Sequence, residues 1–97
     1  LKKAITAKAG ANKDAKVSDG ARGAMVGQLD ALFNGDVNKR HQFTKYLTGY
    51  SSTKIMPDNV CQSFIDWMKK TDAVTAEREA NEVIAHLDGQ NGQMTLA

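Results

Sequence analysis

Pro57-Asp58-Asn59-Val60-Cys61-Gln62-Ser63-Phe64-Ile65-Asp66-Trp67-Met68-Lys69-Lys70 carries the cleanest amphipathic pattern in the chain. Val60, Cys61, Phe64, Ile65 and Met68 recur at three- and four-residue spacing, the period that gathers side chains on one face of an α-helix. Pro57 is pre-organised for a first helical turn and Asp58 suits the positive end of the helix dipole. Lys69 and Lys70 close the segment where cations are favoured. The stretch therefore predicts a helix over 57–70 with a single apolar face, which needs other helices to cover it. Trp67 falls to one side of that stripe.

Working outward, the same punctuation recurs. Ser18 is a good N-cap, with Asp19 behind it, and Ala21, Met25, Leu29, Leu32 and Phe33 form a stripe that ends at Asn34-Gly35, predicting a helix over 18–34. Gly20, Gly23 and Gly27 inside it each cost roughly 1 kcal/mol against Ala. Three of them suggest close approach by a neighbour or a need for tertiary support. Asp36 caps a helix to Thr48, with Phe43, Tyr46 and Leu47 on its apolar face, Val37 as a staple and Gly49 as its stop. Tyr50-Ser51-Ser52-Thr53-Lys54 is a polar loop. Thr75 caps a last helix over 75–88, with Ala76, Ala80, Val83, Ile84 and Leu87 turned inward and Gly89 ending it. Residues 90–97 read as a polar tail. Strand-like alternation and internal repeats are absent from the sequence.

Residues 1–17 differ from the rest. They hold Lys2, Lys3, Lys8, Lys13 and Lys16 against Asp14, a net +4, with few large apolar residues and a helix-interrupting Gly10. The remaining residues carry eight basic and ten acidic groups, a net −2, so the overall +2 conceals a basic arm on a mildly acidic body. The arm reads as flexible, with at most a short helix over Ala4–Ala9. The expected architecture is all-α: a small three- to four-helix bundle over 18–89, a flexible basic N-terminal arm over 1–17 and a tail over 90–97. The predicted core is Leu29, Phe33, Phe43, Leu47, Val60, Phe64, Ile65, Ile84 and Leu87.

Composition narrows the function classes. The chain has 97 residues, 41% of them hydrophobic and 6% aromatic, with a mean hydropathy of −0.46. That is enough for one modest core. It opens on Leu1 rather than Met, as expected of a piece of a longer protein. One cysteine, Cys61, leaves nothing for an internal disulfide or a cysteine-rich metal site, and it lies on the apolar stripe of its helix as a core residue does. No signal peptide or membrane-length apolar run is present in the sequence, and a cytoplasmic location is expected. His41 and His86 stand on different helices without a cysteine or acid at ligand or triad spacing. The carboxylates are dispersed, and the glycines form no phosphate-binding loop. No catalytic residue, cofactor or metal is expected, and the chain reads as a binding module rather than an enzyme.

Binding has better candidates. Lys39, Arg40 and Lys45 on one helix, with Lys69 and Lys70 at the end of another, would form one basic surface for a phosphate backbone if the two helices packed side by side. Tyr50 and Trp67, off the main stripes, are candidate partner-binding aromatics.

The run Asn38-Lys39-Arg40-His41-Gln42-Phe43-Thr44-Lys45-Tyr46-Leu47-Thr48-Gly49, then Ser51-Ser52-Thr53-Lys54-Ile55-Met56 and Val60-Cys61-Gln62-Ser63-Phe64-Ile65-Asp66-Trp67-Met68, resembles a small helical module of phage-type recombination and DNA-metabolism proteins. It is similar to the C-terminal domains of single-strand annealing proteins and to small phage regulatory proteins, over about residues 20–70. Pro57 stands where that pattern usually has a capping Thr or Ser, and the last helix has no counterpart. The resemblance implies an accessory protein-interaction domain that recruits an exonuclease or a single-stranded-DNA-binding protein, with DNA as a second contact. The alternative is a small helical DNA-binding regulatory protein.

Overall fold

The computed structural model describes the backbone of residues 1–96 and the side chains of residues 1–89. Five helices follow one another: α1 (Lys2–Ala11), α2 (Asp19–Ala31), α3 (Val37–Thr48), α4 (Asp58–Lys70) and α5 (Ala73–Leu96). The described residues contain no strand. Their core is one cluster in which Phe43 is central, its ring 5.4 Å from Phe33, 6.1 Å from Phe64 and 6.0 Å from Trp67. Leu29, Leu47 and Ile84 are buried with it, while Val60, Ile65 and Leu87 pack against it half-buried.

The helix ends obey local chemistry. The Ser18 hydroxyl accepts from the Ala21 amide at 3.1 Å, and the Asp36 carboxylate accepts from the Lys39 amide at 3.1 Å. Asn34 and Gly35 adopt φ of 54° and 82°, so the Gly35 amide turns back to the Asp30 carbonyl at 2.8 Å. Gly49, at φ 86°, closes α3 in the same left-handed region. The three glycines of α2 are exposed, and a Cβ built on any of them meets nothing within 4 Å. They accommodate no close neighbour, so α2 depends on tertiary support.

Two expectations are corrected. The first is the flexible arm. Lys2–Ala11 is a helix that lies across α4 and α3, with Ile5 only 1% exposed. No side chain caps α1. Its C-terminal end is instead tied down by Asn12 Nδ2 donating to Asp66 (3.0 Å) and Asn59 Nδ2 donating to the Ala9 carbonyl (3.1 Å). The second concerns the last helix. Asp72, not Thr75, is the capping residue: its carboxylate accepts from the Thr75 amide at 3.0 Å and the Thr75 hydroxyl at 2.6 Å. Gly89 lacks the positive φ of a terminating glycine, and α5 continues to Leu96 through the stretch expected as a polar tail. No helix of the described residues is long and apolar enough to cross a membrane.

Candidate functional site around Tyr46

Tyr46 projects from the last turn of α3 at the place where α1, α3 and α5 meet. It is half-buried. The Lys2 ammonium sits 4.9 Å above its ring, and the His86 ring lies 5.8 Å away. Three surface grooves share it. The first, of about 620 Å³, runs between α1 and α5 and is bordered by Lys2, Arg78, Glu79, Glu82 and His86, with Trp67 among its lining residues. The second, of about 440 Å³, is lined by Lys2, Ile5, Thr6, Lys45 and Tyr46 and has no carboxylate in its wall. The third, of about 460 Å³, is formed by Gln42, Lys45, Tyr46 and Leu87.

An amphipathic ring held at a junction of grooves is suited to anchoring a partner, because its face is apolar and its hydroxyl polar. Charges of both signs border the first groove, whereas the second offers only cations. Tyr46 was read from the sequence as part of the apolar face of α3. The stripe through Phe43 and Leu47 does carry it, but at its edge. No sequence signal placed Lys2 beside it, because the sequence suggests at most a short helix over Ala4–Ala9 and not its docking on α3.

The residues singled out from the sequence are distributed differently. Lys39, Lys45, Lys69 and Lys70 are exposed. Lys45 borders the grooves around Tyr46, while Lys69 borders a groove with Gln28, Leu32 and Ala76. Lys70 lies within electrostatic reach of Asp66. Arg40 turns inward, 7% exposed, and its Nε donates to the Asp30 carboxylate. It is therefore not part of an outward basic face. Trp67 is 5% exposed and its indole N–H donates to Glu79 at 3.1 Å. It belongs to the core rather than protruding as an anchor. Tyr50 is half-buried against the core.

Three groups are electrostatically displaced. Hydrogen bonds from Gln62 (2.8 Å) and then Asn12 hold the Asp66 carboxyl below the ordinary aspartate range, against a small cost of burial. The Thr75 hydroxyl and amide do the same for Asp72. Burial pushes the Cys61 thiol up, as fits a core position. Among the described residues no group of three or more His, Cys, Asp or Glu is placed to hold a metal ion. The chain has no match among protein-family models, curated proteins or solved structures.

Proposed function

We propose that this chain is an accessory protein-interaction module, of the kind its sequence resemblance to phage-type single-strand annealing and recombination proteins implies. It recruits a protein partner through the grooves around Tyr46. The observation that carries this reading is the convergence of three grooves on one half-buried aromatic residue. A partner segment laid there would bury the ring and meet Lys2, Glu79 and the Arg78–Glu82 ion pair of α5. The resemblance points to an exonuclease or a single-stranded-DNA-binding protein as that partner.

Binding of the purified chain to each of those two proteins, measured by calorimetry, tests the reading. Tyr46→Ala should weaken association by roughly tenfold or more, as loss of a central aromatic anchor does. Unchanged affinity in that variant would overturn the assignment. A second reading, direct contact with DNA, draws on Lys2 and Lys45, the two charged side chains lining the second groove. It shifts the DNA-contacting residues from Arg40 towards Lys2 and Lys45.

A further inference from the structure

A separate cleft lies against the first turns of α2, the start of α3 and the loop before α4. It has a volume of about 400 Å³ and is lined by Asp19, Arg22, Val26, Arg40, Thr53 and Lys54. Three cations from three different segments face it. Arg22 is largely engaged: its Nη1 donates to the Thr53 and Met56 carbonyls and its Nη2 to Asp58 at 2.7 Å. Arg40 is not. Its Nε is taken by Asp30, but its Nη1 is buried and has no hydrogen-bond partner. A guanidinium keeps its charge at every accessible pH, so those donors cannot be silenced by deprotonation. A buried donor without an acceptor is unfavourable, and an entering acceptor would restore the missing hydrogen bond.

We propose that this cleft binds a small phosphate-type oxyanion, with Arg40 as the buried donor and Lys54 as the charge at the rim. The volume is many times the roughly 30 Å³ a water occupies in the liquid, leaving room for the ion and its remaining water. Arg22 contributes mainly field, because its Nη1 and Nη2 already serve Thr53, Met56 and Asp58. Asp58 and Asp30 balance the two arginines, so recognition rests on directed donors and on Lys54 rather than on a large net charge. Asp19 opposes the ion and limits its affinity. Nη1 is shielded from solvent, so the cleft wall has to give way locally for the ligand to reach it. The site owes nothing to the Tyr46 reading and stands or falls without it.

The test follows the Arg40 Nε–H signal and the Thr53 and Lys54 amides by proton–nitrogen NMR. Inorganic phosphate is added to the full 97-residue chain while sodium chloride holds the ionic strength constant. Saturable shifts are expected. Lys54→Gln, an exposed change that leaves the fold intact, should weaken phosphate roughly threefold or more, and Asp19→Asn should tighten it by a similar factor. Shifts that never saturate, that sodium chloride alone reproduces, or that Lys54→Gln leaves unaltered would overturn the proposal. A thymidine oligonucleotide provides the second arm. Its binding, with no response to free phosphate, would equally overturn a small-ion site and assign the donors to a nucleic-acid backbone.

Discussion

Arg22 and Arg40 are charged side chains that packing draws inward, and each meets a carboxylate. Arg40 looked like a surface cation because Lys39, His41 and Lys45 surround it in sequence. Its helical position says otherwise, since it stands three residues before Phe43 and seven before Leu47, on the buried face. Trp67 follows the same rule, three residues after Phe64. In both cases the periodicity was legible, and the residue's chemistry diverted the reading: arginine suggests a phosphate contact and tryptophan an exposed anchor. Arg22 carries a different lesson. Nothing local in the sequence shows that one guanidinium will join α2 to two carbonyls of the following loop and to Asp58. A lysine keeps the charge but cannot present the planar fork. Arg22→Lys should therefore lower stability by about 1–3 kcal/mol, read from denaturant unfolding, because it strands buried carbonyls. An unchanged midpoint would mean that the loop does not depend on this residue.

At the scale of the elements, α2 and α3 were legible because each starts and stops on a residue with a mechanism, Ser18 and Gly35 for one and Asp36 and Gly49 for the other, and α4 because of its apolar stripe behind Pro57. α1 was legible only as a short stretch over Ala4–Ala9, because Ile5 is its only buried side chain and neither end carries a capping signal. A helix of 10 residues is marginal alone and is held by what it packs on. Ile5→Ala should cost about 2–4 kcal/mol and remove amide-exchange protection from residues 2–11 first. Equal protection in the variant and the parent would show that α1 does not rely on its docking. The glycines of α2 give the opposite sign. Gly27 is helical, exposed and open around its Cβ position. Gly27→Ala should raise stability by about 0.5–1 kcal/mol, and a lower melting temperature would reveal a contact that the fold does not show. The junction of α1 with α4 also titrates. Asp66 has a folded pKa below its unfolded value, so its contribution is present above about pH 4 and is lost as pH falls through the lower folded value. Asp66→Asn should flatten part of the acid limb of the stability profile, and an unaltered limb would remove Asp66 from that account.

For the molecule as a whole, the decisive fact is where the charge of residues 1–17 goes. Read as a free arm, its lysines would have acted apart from a body of net −2. Folded back as α1, Lys2 reaches Tyr46 and Lys8 comes within electrostatic reach of Asp66. The basic patch is thus a composite of α1 and α3, which sequence distance hid: Lys2 and Lys45 line one groove although 42 residues separate them. This sharpens the contrast between protein recruitment and DNA contact. A module that only recruits protein holds single-stranded DNA weakly at any salt, since the surrounding carboxylates repel a polyanion unless cations are tightly clustered. A DNA-contacting surface loses affinity linearly in the logarithm of salt concentration, with a slope near −0.7 per phosphate neutralised on a single strand. Replacing Lys2 and Lys45 together by Gln should reduce that slope by roughly 1.4 if both contact phosphates, whereas the Lys39→Gln and Lys69→Gln pair should leave it unchanged. The expected outcome is weak binding in the parent, with whatever salt dependence exists following Lys2 and Lys45. Tight binding whose salt slope follows Lys39 and Lys69 instead would restore the outer faces of α3 and α4 as the interface. It would also make the DNA-binding regulator the better description of this chain.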